Sequence, residues 1–145
     1  MSGPALRMVE SHHAIHESAR HEAEEALRLA EKVHAASDDE AFAHVVEVFL
    51  EIIEARILAH AAAEEQGLYQ EWLRDNEERR STIDALIQEH ETLRRLSRAV
   101  EQAMIQSDCD LAVSAMARLV EASAAHSRHE EDILHHMFGE RNEVL

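Results

Sequence analysis

Apolar residues recur every three or four positions over long stretches of this chain, the spacing of a helix with one buried face. The first stripe reads Val9, His12, His16, Ala19, Ala23, Leu27, Ala30 and Val33. Pro4, a good first-turn residue, opens that helix, which is expected to run to about Ala36. Ser37, Asp38 and Asp39 supply a turn and an N-cap for a second helix, where acidic residues suit the positive end of the dipole. The second stripe is Phe42, Val46, Phe49, Ile53, Ile57, His60, Glu64 and Gly67, and Asp75-Asn76 is the first plausible breaker after it. A third stripe follows with Ile83, Ile87, His90, Leu93, Ser97, Val100 and Met104. After a turn at Ser107-Asp108-Cys109-Asp110 comes the fourth: Ala112, Met116, Leu119, Ser123, His126, Glu130, Ile133 and Met137, closed by Gly139. Four long helices with short connections predict an all-α, up-down-up-down four-helix bundle.

Composition narrows the picture. The 145 residues fit one domain spanning 1–145. Three glycines and one proline leave little material for hairpin turns, which argues against an all-β fold. A formal charge of −16 argues against a nucleic-acid partner, which needs a basic face for phosphates. One cysteine, Cys109, excludes an internal disulfide and a thiolate zinc cluster. No apolar run is long enough to span a membrane, and no basic-then-apolar leader opens the chain, so a cytoplasmic location is expected. The unusual count is twelve histidines.

His-x-x-x-Glu occurs five times, starting at His13, His21, His60, His126 and His136. Residues four apart share a helix face, but most such pairs are ordinary surface ion pairs. Two of the five stand out by repetition. His60 to Leu68 and His126 to Leu134 share the pattern H-x-x-x-E-E-x-x-L, so the chain reads as two similar helical hairpins. His60, Glu64, His90, His126 and Glu130 also lie on the apolar stripes rather than opposite them. Their distances from the turns agree: His12 and His60 lie 24 and 21 residues from the first turn, and His90 and His126 lie 17 and 16 from the third. At about 1.5 Å per residue, one histidine from each helix meets in a single layer. Glu64 and Glu130 fall one turn away. Buried ionisable groups need partners or a metal. Imidazole and carboxylate donors without thiolate suit iron, manganese or zinc. Six donors suggest two ions, with iron the natural choice, and the two carboxylates could bridge them.

These residues resemble the hemerythrin-like (HHE cation-binding) family. The resemblance runs through the helix-one histidine, HAAAEEQGLY at 60–69, EHETL at 89–93 and HSRHEEDIL at 126–134. It implies a non-haem diiron centre with ligands His12, His60, Glu64, His90, His126 and Glu130, the carboxylates bridging the irons with an oxo or hydroxo group. It implies a protein that binds, senses or reacts with dioxygen, peroxide or nitric oxide. Metal storage without turnover and a peroxidase- or catalase-like diiron enzyme are the alternatives. In two places the chain departs from the family's pattern. Oxygen carriers of the family have a further histidine four residues after the helix-three histidine, where this chain has Arg94. Helix one offers His12, His13 and His16; His12 best matches the pattern, and His16 is the candidate for the missing ligand. Tyr69 is expected either to pack beside the site or to serve it by a hydrogen bond or as an electron conduit, and Glu65 and Glu131 to lie at the surface or just behind the ligands.

Overall fold

The computed structural model describes residues 4–139, with side chains from 10 to 137. Every regular element among them is helical, and the helices build four long rods. The first is α1, Pro4–Ala35. The second is composite: α2 (Asp39–Ile52), a π-helical turn (Ile53–Leu58), α3 (Ala59–Gln66) and α4 (Leu68–Asp75). A single 3₁₀ turn, Glu77–Arg79, leads into α5, Arg80–Ile105. The fourth rod is α6, Cys109–Leu134, followed by a π turn over His135–Gly139. None of the described helices is long and apolar enough to cross a membrane.

Two connections are built alike. Ser37 and Ser107 both take a left-handed backbone, with φ of 57° and 56°. Each donates its N–H three residues back, to His34 and Met104, and the following Asp38 and Asp108 donate five back, to Val33 and Ala103. This pairing closes a helix on its last free carbonyls. The same two aspartates then cap the next helix by accepting from the N–H groups of Ala41 and Leu111. Cys109, expected in the turn, is instead the first residue of α6.

The second rod is less regular than its spacing predicts. The π turn takes up one extra residue, so the buried face passes from Ile53 to Ala61 and Glu64, leaving Ile57 half-buried. Gly67, expected on the buried stripe, is exposed and marks the break between α3 and α4.

The interior has three layers along the bundle. Nearest the paired turns lies an apolar core of Phe42, Val46, Phe49, Ile53, Leu93, Val100, Met116 and Leu119. Ala23, Ala26, Ala30, Ala103, Ala112 and Ala115 fill the gaps and let the helices approach closely. At the other end Tyr69, Trp72, Ile83, Leu86 and Leu134 form a second apolar cluster. Between the two lie the buried polar groups Glu64, His90, His126 and Glu130.

Candidate metal centre

All seven residues singled out from the sequence reach this polar layer. His12 and His16 stand one turn apart on α1; His60 and Glu64 stand one turn apart on α3. His90 comes from α5, and His126 and Glu130 come from α6. His13 rotates outward to the surface, where it donates to Glu131 at 2.5 Å.

The donors sort into two sets, each drawn mainly from one hairpin. His12, His60, Glu64 and Glu130 offer atoms that lie within 4.8 Å of one another, and so do Glu64, His90, His126 and Glu130. Glu64 and Glu130 belong to both sets because each aims one oxygen at each side. Glu64 Oε2 lies 3.3 Å from His12 Nε2 and 3.4 Å from His60 Nε2, while its Oε1 lies 3.4 Å from His90 Nε2. Glu130 Oε1 lies 3.4 Å from His16 Nε2 and its Oε2 lies 3.5 Å from His126 Nε2. The rings of His12, His16 and His60 form a triangle with centroids 5.5–5.7 Å apart. Those of His90 and His126 are 4.5 Å apart.

A second ring of carboxylates holds the imidazoles from behind. His90 donates from Nδ1 to Glu65 at 2.5 Å, and His126 donates from Nδ1 to Glu89 at 2.6 Å. His16 donates from Nδ1 to Glu131 at 3.0 Å. Such bonds fix the tautomer and turn the bare Nε2 inward, as in ligating histidines. Arg94 stands outside this ring, bonded to Glu65 at 2.9 Å and Glu91 at 2.7 Å.

The arrangement fits metal cations on two grounds. His90 Nε2 and His126 Nε2 face each other at 3.0 Å while both Nδ1 protons are committed to carboxylates. Two bare nitrogens that close repel unless a cation, a proton or a metal, lies beside them. His60 Nε2 and Glu130 Oε1 are buried, face the layer and make no hydrogen bond. Buried polar atoms of that kind are costly and call for a partner.

Electrostatics point the same way. Burial alone would raise the Glu64 carboxyl, but the close approach of His12, His60 and His90 outweighs it and holds the group well below the carboxylate range. Burial opposes protonation of His12, His16 and His126, yet bonds and charges from Glu64, Glu130, Glu131 and Glu89 hold all three above the ordinary imidazole value. The metal-free layer therefore favours an ionised Glu64 and protonated His12, His16 and His126, and a metal would displace those protons.

A cavity of about 20 Å³ lies against the layer, walled by Ala19, Ile57, Ala61, Leu93 and Ser123 and reached by His16, His60, His90 and His126. One water-sized molecule needs roughly 10–15 Å³, so the space suits a molecule of two or three atoms. Arg56 borders it, tied down by Glu22 and Ser18.

Comparison with family models, with curated proteins and with solved structures gives no match for this chain. The remaining histidines are peripheral: His21, His44, His135 and His136 are exposed, and His34 pairs with Asp110 at the turn end. Glu89 gains a role the spacing did not assign, holding both His126 and His129, and the Tyr69 hydroxyl makes the hydrogen bond to the site that was one of its two expected roles, donating to Glu130. The position of Glu89 beside His90 in sequence was the available signal.

Proposed function

We propose that this chain is an up-down-up-down, hemerythrin-like bundle holding a non-haem diiron centre, and that it binds, senses or reacts with a small oxidant such as dioxygen, peroxide or nitric oxide. One observation carries the two-ion reading: Glu64 and Glu130 each direct one oxygen to each of two histidine sets. His12, His16 and His60 would hold one ion and His90 and His126 the other, with both carboxylates shared. Nitrogen and oxygen donors without thiolate suit iron.

Bound iron would supply redox chemistry and Lewis acidity. The chain's own residues do the rest. Glu65, Glu89 and Glu131 orient the imidazoles. The two apolar clusters keep bulk water from both ends of the layer. The cavity beside the layer has room for a diatomic or peroxide-sized molecule.

The test is metal analysis and optical spectroscopy after aerobic purification, repeated after ferrous loading of metal-free protein. Two irons per chain and an oxo-bridged diferric absorption are expected, with both lost in His60→Ala. A protein that takes up no iron overturns the reading. Turnover is separated from binding by peroxide disproportionation: a rate that drops in Glu64→Ala marks an enzyme, and equal rates mark a binder or sensor.

A further inference from the structure

The two sides of the proposed centre are unequally supplied. Three imidazoles face the His12 side, and two face the His90 side. Arg94, one turn beyond His90, cannot make up the difference, since its guanidinium bonds outward to Glu65 and Glu91. The atom that stands in the gap is the hydroxyl of Tyr69.

Tyr69 lies in the first turn of α4, just after the break at Gly67, and is fully buried. Its hydroxyl donates to Glu130 Oε2 and lies 3.3 Å from His90 Nε2. The ring is nearly parallel to that of His90, at 16° and 5.6 Å between centroids, and backed by Trp72 at 5.4 Å. Packing on both faces holds the oxygen in place.

The spacing of the donor atoms is informative. Ligands bound at about 2.0–2.2 Å with perpendicular bonds stand about 3 Å apart. On this side His90 Nε2 and His126 Nε2 are 3.0 Å apart, His90 Nε2 and Glu64 Oε1 3.4 Å, and His126 Nε2 and Glu130 Oε2 3.5 Å. The Tyr69 oxygen, at 3.3 Å from His90 Nε2 and in contact with Glu130 Oε2, stands at similar spacing from two of these donors.

We propose that Tyr69 is itself a ligand, a phenolate that completes the shell of the ion held by His90 and His126. The proposal rests on the two-metal reading above. On metal binding the phenolic O–H bond breaks, an oxygen–metal bond forms and the proton passes to solvent; no electron moves in that step. Glu130 Oε2 is released from its hydrogen bond and becomes free to bind the same ion. Each ion then has five protein donors.

The experiment loads metal-free protein with ferrous iron, oxidises it in air and records visible absorption and resonance Raman spectra. Tyr69 is the sole tyrosine of the chain, so any phenolate signal belongs to it. The expected result is a visible phenolate-to-iron(III) charge-transfer band with enhanced tyrosine ring vibrations. Tyr69→Phe should bind two irons without the band and release one of them to a chelator about tenfold faster. Wild-type protein that binds two irons with no phenolate signal overturns the proposal, as does a band that persists in Tyr69→Phe. If the variant does not fold, the wild-type Raman spectrum decides alone. Failure of the wild type to bind iron at all overturns the diiron reading, and this proposal with it.

Discussion

Glu64→Gln changes one atom and removes the charge that three imidazoles share. His12, His60 and His90 present Nε2 atoms 3.3–3.4 Å from this carboxylate, which is 4% exposed. One such pair of unit charges is worth about 5 kcal/mol at an effective dielectric of 20. The carboxylate's desolvation cancels much of that, and the net cost of breaking a buried pair is about 3–5 kcal/mol. For a chain of this size each kcal/mol moves Tm by roughly 2–4 °C, so metal-free Glu64→Gln near pH 6 should melt about 10 °C below wild type. The gap should narrow as pH rises and His12, whose value is raised partly by Glu64, loses its proton, because wild-type Glu64 then loses that cation. Thermal melts in chelator across this pH range measure both effects. Equal melting temperatures at pH 6, or a gap that widens with pH, would refute the account of Glu64 as the charge that holds the layer together.

Other expectations follow from the same geometry. His12, His16 and His126 have raised folded values, so their contribution to metal-free stability is complete below about pH 6.5 and is lost as pH rises through those values. Glu64 and Glu131 have lowered values, so their contribution is present above about pH 4.5 and is lost as pH falls through them. Metal-free protein should therefore be most stable between these limits, and iron should reverse the loss above neutrality; calorimetry with and without iron reads both. Glu89→Ala unties His126 and should weaken iron binding about 10–100-fold, read by competition with a chelator, whereas His21→Ala, on an exposed pair, should change nothing. Ala30→Leu inserts a large side chain where none of the residue is exposed, and should cost about 1–3 kcal/mol in urea unfolding while iron content stays at the wild-type level.

Much of this architecture was legible in the sequence because helix periodicity reports which face is buried. The stripes of the third and fourth helices coincide with the buried faces of α5 and α6, and counting residues from the turns brought His12, His60, His90 and His126 to one level. Periodicity reports less about irregular turns. Ile53, Ile57, His60 and Glu64 are spaced as in an unbroken α-helix, so the π turn left no trace in the pattern. It also says nothing about contacts across helices. His12 and His16 share the helix-one stripe on paper, with His12 the better match, but spacing does not show that His13 turns out to Glu131. The Tyr69 hydroxyl reaches Glu130 from just past the break between α3 and α4 at Gly67, and spacing alone does not encode that break.

The way Glu64 and Glu130 cross between the two hairpins has a consequence for assembly. Each hairpin contributes its own histidines and one carboxylate; the first receives the Glu130 carboxylate from its partner, and the second receives the Glu64 carboxylate and, on the proposal above, the Tyr69 oxygen. On the proposed reading, the first hairpin supplies four of the five donors of its ion and the second three of five, and docking supplies the remaining oxygens to both ions at once. Metal affinity and hairpin affinity are then one quantity measured two ways. The chain joins the hairpins through the short stretch from Asn76 to Arg79. Two peptides separated there should reassemble when iron is added and part again in chelator, the centre acting as a clasp between two halves of what is now one molecule.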